Sequence, residues 1–216
     1  NITNSAVDAG KKLLSAFTID PIKTGFQEYE TQIGAIQTIL ANTKSKGSTL
    51  EDVNKALDEL NTYADKTIYN FTEMTKNIGT FTAAGVDLAT STGAIKGIAN
   101  LGAISGSTSQ QVSSAMYQLS QALAAGKVSL QDWNSVVNAG MGGEIFQEEL
   151  KATARHFGID VDGMIAKYGT FRESLTEGAW LTTDVLTATL QKFTGDLNKE
   201  QLMAQGYTEQ EAQRIV

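Results

Sequence analysis

The sequence contains no cysteine, one histidine and one proline in 216 residues. Without cysteine, a disulfide framework, a cysteine nucleophile and a thiolate metal site are all excluded. A Ser-His-Asp site would have to use His156, which follows Arg155 near a predicted helix end, where a histidine commonly faces solvent or the terminal carbonyls. The scarcity of proline leaves long stretches of chain free to form helices.

Short motifs that carry chemistry are also missing. The sequence has no nucleophile elbow, no zinc-protease motif, no dinucleotide fingerprint and no lysine in the glycine turn at 140–143 that a phosphate loop would need. Asp160 and Asp162 begin like a calcium loop, but no glutamate closes the loop, so we interpret one of them as a helix cap. The adjacent acids Glu148 and Glu149 are predicted to lie on a solvated helix face. No catalytic residue, cofactor or metal ligand is therefore predicted.

Basic residues are outnumbered, with 17 lysines and arginines against 24 acids and a net charge of −7. A dedicated nucleic-acid binder needs a basic patch to neutralise phosphates. The close pairs Lys11/Lys12 and Lys44/Lys46 fit solvated helix surface better. No sequence-specific binding of nucleic acid is expected.

Helical periodicity runs through most of the chain, and no convincing alternation marks a strand. The sequence therefore predicts an all-α fold of short helices joined by glycine turns, with one short extended segment allowed at 16–25 around Pro21. The expected domains are a main helical part at 1–160 and a helical continuation at 161–216. Predicted helices lie near 26–47, 49–64, 68–79, 83–104, 107–126, 129–140, 145–158, 160–168, 170–175, 183–193, 198–205 and 208–216.

Helix starts are predicted from capping boxes, in which a serine or threonine and a residue three positions later satisfy each other's backbone donors. Three such pairs are Ser48 with Glu51, Ser107 with Gln110, and Thr208 with Glu211. Gly126 suits the left-handed position just past a helix end.

Small residues dominate 83–104, where Gly85, Gly93, Gly97 and Gly102 would let another backbone approach closely. A tight intramolecular helix pair is the favoured interpretation, and an intermolecular contact is the alternative. Residues 97–126 carry no charge but are rich in serine and glutamine, so this stretch does not qualify as a bilayer-spanning helix.

Large side chains gather in the middle of the chain, and most are predicted to lie in the core. An exposed subset would form a partner surface, with Trp133 as first candidate because tryptophan is enriched at interface hot spots. The candidate partner contacts are Trp133, Tyr117, Tyr69 and Met141.

Several ordered blocks resemble the tape measure proteins of long-tailed phages and prophages. They are Tyr63–Thr75, Asn77–Gly85, Ile95–Asn100, Ala115–Leu123 and Asp132–Gly143. Three shorter pieces fit the family's continuation, namely Phe171–Leu175, Trp180–Thr182 and Gly206–Thr208. The resemblance extends over roughly 20–216 and is strongest at 63–147.

The resemblance implies a structural virion protein that sits in the tail tube, helps set tail length during assembly in the bacterial cytoplasm, and leaves with or ahead of the DNA. Its implied partners are other copies of itself, tail tube, tail-tip and assembly chaperone proteins, and the host membrane after ejection. The start at Asn1 rather than methionine suggests a piece of a longer protein. The density of glycine turns suggests a compact domain within that protein rather than a rod.

Three hypotheses remain open at this point. The first is a structural and interaction domain of a tape measure protein. The second is a membrane-active segment of the same protein, using the glycine- and alanine-rich stretch 83–126. The third, least favoured, is a cell-wall hydrolase, which would need two converging carboxylates with one in an apolar wall.

Overall fold

The described part of the chain is helical. The computed structural model describes residues 34–65, 67, 69–194, 203 and 208–210. Residues 34–43 are helical (α1) and continue into a 3-10 turn at Lys44–Lys46. The helices that follow are α2 (Leu50–Asp65), α3 (Phe71–Ala83), α4 (Leu88–Ser105), α5 (Ser109–Ala125), α6 (Leu130–Asn138), α7 (Glu144–His156), α8 (Val161–Tyr168), α9 (Phe171–Gly178) and α10 (Thr183–Gln191). The predicted all-α fold is confirmed.

Contacts divide the chain into two compact units, residues 1–92 and 93–216, so that α4 contributes to both. The expected boundary between 160 and 161 falls inside the second unit, where Arg155 of α7 donates two hydrogen bonds to Asp162 of α8. Each unit has its own core.

The first unit packs α1, α2 and α3 through their apolar stripes. Fully buried side chains include Ile39 of α1, Leu57 of α2 and Phe81 of α3. Two polar side chains form hydrogen bonds between segments of this unit. Asn42 Nδ2 donates to Gly79 O, and Lys46 Nζ donates to Gly85 O. Val53 and Leu60 of α2 are fully buried in the same core.

The second unit is built on adjacent pairs of short helices, with α5 against α6, α7 against α10, and α8 against α9. Its interior contains an apolar stripe on α5, in which Val112, Met116 and Leu119 are buried. Gly126 takes the left-handed conformation predicted for it, with φ of 81°.

Two predicted capping boxes are wrong by one residue. The box on α2 joins Thr49 with Asp52 rather than Ser48 with Glu51, and the box on α5 joins Thr108 with Gln111 rather than Ser107 with Gln110. Ser107 is instead buried and donates to Ala139 O, which draws it out of the cap position. The proposed box of Thr208 with Glu211 is not tested, because Glu211 lies outside the described residues.

Helix α3 also differs from its prediction, because it continues through Gly79 to Ala83. Gly79 is buried, and Asn42 bonds its carbonyl, so packing rather than local propensity decides the helix length here.

Among the described residues the only extended pairing is a bridge between Lys127 and Thr182. Val128 N–H donates to Leu181 O at 2.8 Å, and Thr183 N–H donates to Gly126 O at 3.2 Å. The segment at 16–25, where extended structure was allowed, lies outside the described residues, as do most of the predicted helices at 198–205 and 208–216.

Candidate functional site

The four candidate partner residues lie in different environments. Tyr69, Trp133 and Met141 are buried, with exposed fractions of 5%, 2% and 1%. Tyr117 is 54% exposed on α5. Burial gives the first three a packing role within their units, whereas Tyr117 is open to a partner. Contact of any of the four with a partner stays a prediction.

Trp133 belongs to a chain of five aromatic rings in the second unit. Its indole stacks on Phe146 at a centroid distance of 5.9 Å and meets Phe171 at 4.9 Å. Phe171 in turn meets Trp180 edge-on at 5.4 Å, and Phe146 meets Phe193 at 6.0 Å. Such ring pairs contribute beyond their buried area, so this cluster ties α6, α7 and α9 to the residues before and after α10.

The second buried tryptophan of the chain satisfies its polar atom inside the cluster. Trp180 Nε1 donates to Ser174 Oγ at 2.9 Å, and that hydroxyl donates to Phe171 O. The cluster was only partly visible in the sequence, because Phe171, Trp180 and Phe193 are far from Trp133 along the chain.

Tyr69 and Tyr63 lie in the first unit. Burial raises the pKa of both phenols above the usual value, because the charged form would lose solvation, and the neighbouring Tyr69 raises the pKa of Tyr63 further. Both phenols therefore favour the neutral form more strongly than a solvent-exposed tyrosine does.

The exposed face of α5 carries Tyr117 among uncharged side chains. Gln110, Ser114, Gln121 and Ala124 lie on the same solvent-facing side, and the whole helix contains no acidic or basic residue. Other exposed helix faces are charged, as on α7, where Lys151 pairs with Glu148. The α5 face is thus a polar, uncharged surface with one large aromatic side chain.

The small-residue face of α4 packs within the molecule, as favoured from the sequence. A methyl group added at Gly97 would lie 2.2 Å from Leu190 O, which places the backbones of α4 and α10 in direct contact. Gly93 of α4 faces the side chain of Gln191, which, like Leu190, belongs to α10. One turn beyond Gly97, Asn100 Nδ2 donates to Phe193 O at 2.7 Å and so satisfies a carbonyl just past the end of α10.

Buried polar contacts also join α7 to α10. Thr189 Oγ1 lies 2.9 Å from Thr153 Oγ1, which itself donates to Glu149 O. Lys192 Nζ pairs with Glu149 Oε2 at 2.7 Å. The prediction that Glu148 and Glu149 both lie on a solvated face is therefore wrong for Glu149, whose carboxylate is mostly covered.

The residues considered for chemistry do not assemble into a site. His156 is exposed at the end of α7, with its ring beside Phe157. Asp160 caps α8 by accepting from Gly163 N–H, which confirms the cap interpretation. Asp162 forms a surface pair with Arg155, whose hydrogen bonds lower the pKa of that carboxyl. No group of three or more potential metal ligands occurs among the described residues.

None of the described helices combines the length and the apolar character needed to cross a bilayer.

The described fold is an all-α domain of short helices around an apolar and aromatic interior. A protein-family model described as "Tape measure protein" matches residues 27–214, and the chain belongs to the tape measure protein family. Its role is structural, and its place is the phage tail of the virion. Tail proteins are accordingly its class of partner. No curated protein and no solved structure matches the chain.

Proposed function

We propose that this chain is a folded domain of a tape measure protein that takes part in tail assembly and length determination from inside the tail tube. The observation that carries the proposal is the match to the tape measure family over a chain whose described helices pack into two compact units. In length control this domain acts as an anchor, while an extended part of the parent protein spans the tube.

The dimensions of the helices support an anchoring role. The longest described helix, α4, has 18 residues and so a length of about 27 Å. As one straight helix, residues 93–216 would extend about 190 Å, whereas a compact unit of that size has a radius of gyration of about 14 Å. A chain folded into such units therefore spans a much shorter distance per residue than a straight helix does.

An in-frame deletion separates an anchor from a ruler. In the phage that encodes the chain, deletion of residues 93–194 is expected to block tail assembly or to leave tails of irregular length in electron micrographs. The matched control removes the same number of residues from an extended helical part of the parent protein, which should shorten tails uniformly. Uniform shortening by about 1.5 Å for each residue deleted from 93–194 would contradict the anchoring role.

Self-association and contact with tail tube, tail-tip or assembly chaperone proteins are further parts of the proposal. The supporting observation is the uncharged, solvent-facing side of α5 with Tyr117 exposed, since repulsion between copies of a chain with a net charge of −7 is weakest where no charge lies.

Light scattering and pull-down with purified tail proteins test these contacts. Tyr117→Ser is expected to weaken association, whereas Phe157→Ser, which changes another aromatic side chain of similar exposure at 50%, is expected to leave it intact. A strictly monomeric chain that binds no tail protein would count against this part of the proposal.

The second candidate function is membrane activity that assists DNA passage during ejection. The observation that favours it is the uncharged stretch 97–126, which α4 and α5 largely occupy. Liposome leakage assays at neutral and acidic pH decide it, because a membrane-active chain should release trapped dye. Intact liposomes at both pH values would remove this candidate.

A further inference from the structure

A groove of about 450 Å³ runs between α1 and α3 in the first unit. On the α3 side, Thr72, Lys76, Gly79 and Ala83 recur at intervals of three and four residues, which places them along one helix face. On the α1 side, Ala35 and Thr38 form the wall. The lining residues of α3 therefore extend over about 16 Å, from Thr72 to Ala83, and apart from Lys76 the walls are small side chains.

Thr75 in this groove has a buried hydroxyl group without a partner. The residue is 1% exposed, and its Oγ1 bonds to nothing among the described residues. The hydroxyls of Thr38 and Thr80, which also line the groove, donate to carbonyls one turn earlier in their own helices. Thr75 does not do so, and a buried hydroxyl left unpaired is costly, so a polar group of an occupant would be stabilising here.

Lys76 supplies the only charge among the residues that line the groove. It is exposed, and no ion pair involves its ammonium group within the described residues. An occupant that carries a carboxylate next to an apolar row would complement both the lysine and the small side chains.

We propose that this groove is a docking site for an amphipathic helix of a partner protein. That helix places aliphatic side chains along the row from Thr72 to Ala83, a polar group against Thr75, and an acidic side chain beside Lys76. A helix fits because the lining repeats once per turn over three turns, and because small walls permit close approach of a second backbone. The inference goes beyond the proposed function and does not depend on it.

The test uses the whole chain and two fluorescein-labelled helical peptides of 18 residues. Both carry alanine and leucine along one face, and one has a glutamate beside that face where the other has a lysine. Fluorescence anisotropy is expected to show that the glutamate peptide binds at least five-fold more tightly. Lys76→Glu should reverse this order, and Thr75→Val should weaken binding about five-fold, which corresponds to one neutral hydrogen bond.

Filling the groove is the second part of the test. Ala35→Leu places a larger side chain in the wall and should abolish peptide binding, while Ala41→Leu, on the exposed side of the same helix, should not. Circular dichroism checks that both variants fold. If Ala35→Leu does not fold, Thr72→Leu takes its place.

Three results would overturn the proposal. The first is absence of binding by either peptide, and the second is equal binding of both. The third is concentration-dependent dimerisation that Ala35→Leu removes and Ala41→Leu keeps, which would assign the groove to a second copy of the chain.

Discussion

At the scale of single residues, three glycines inside helices meet quite different surroundings. A methyl group at Gly79 would have its nearest neighbour, Thr38 Cγ2, at 4.0 Å. At Gly93 it would press on the movable end of Gln191, and at Gly97 it would strike the main chain at Leu190. Glycine therefore permits a close backbone contact at position 97, whereas at position 79 it lowers the helix propensity without allowing a closer contact.

Gly97→Ala and Gly79→Ala are expected to change stability in opposite directions. Gly97→Ala should lower the free energy of unfolding by about 2 kcal/mol, because overpacking against a backbone outweighs the gain in helix propensity. Gly79→Ala should raise it by up to about 1 kcal/mol, since the site has room. Urea denaturation measures both, with tryptophan fluorescence for Gly97→Ala and far-UV circular dichroism for Gly79→Ala.

Gly93→Ala serves as the intermediate case and should change stability little, because the Gln191 side chain can turn aside. A Gly97→Ala variant as stable as the parent chain would show that α4 and α10 are not held in backbone contact.

Asp87 gives the first unit a dependence on pH. Burial raises the pKa of its carboxyl, but hydrogen bonds from the Thr90 amide and hydroxyl outweigh burial, so that the pKa lies below the ordinary value of 3.8. A carboxyl with a lowered pKa in the folded state contributes stability above its unfolded pKa and loses it as pH falls through the folded value.

We therefore expect the urea midpoint of the first unit to fall below about pH 4. Asp87→Asn can still accept from the start of α4 but does not titrate, so it should flatten this fall. Circular dichroism between pH 2 and pH 6 measures the effect. An equally steep fall in Asp87→Asn would assign the pH dependence to other carboxyls.

At the scale of helices, the sequence identified most elements and misplaced the caps at which two of them begin. Periodic apolar positions placed α2, α5, α6 and α8 to within a few residues. The errors at Ser48 and Ser107 arise because neighbouring residues can both cap, so local pattern alone does not choose between them. Packing does choose, as at Ser107, which is held by Ala139 O. The ring cluster and the Lys127–Thr182 bridge could not be predicted because they join distant segments.

The corrected cap on α2 has a direct test in two adjacent hydroxyl residues. Thr49→Ala should cost about 1 kcal/mol of stability, since Thr49 Oγ1 accepts from Asp52 N–H at the helix start. Ser48→Ala should cost little, because the Ser48 side chain forms no hydrogen bond among the described residues. Thermal unfolding by circular dichroism compares the two variants, and a larger loss for Ser48→Ala would restore the box predicted from sequence.

At the scale of the whole molecule, the two units can be observed separately. The chain has two tryptophans, Trp133 and Trp180, and both are buried in the second unit. The uncharged face of α5 and the groove between α1 and α3 were harder to predict from the sequence than the family was. The blocks that indicate the family are local, whereas exposure of Tyr117 and isolation of the Thr75 hydroxyl depend on the packing around them.

Fluorescence and circular dichroism are expected to give different unfolding curves. Fluorescence follows the second unit alone, whereas ellipticity at 222 nm reports the helices of both units. The first unit should unfold at lower urea, because four of the five buried polar atoms without partners among the described residues lie in it, at Asn54, Tyr69, Thr75 and Ser91. Coincident curves would mean that the two units unfold as one.

The contact between α4 and α10 also has a mechanical meaning. The second unit begins at Gly93 in α4, and α10 lies much later in its sequence, at Thr183–Gln191. Gly97 against Leu190, and Asn100 bonded to Phe193, therefore close a large loop of chain that contains α5 to α9. If the chain were pulled from both sides of this loop, the contact between α4 and α10 would bear the load first. The helices within the loop would carry no tension until that contact opened.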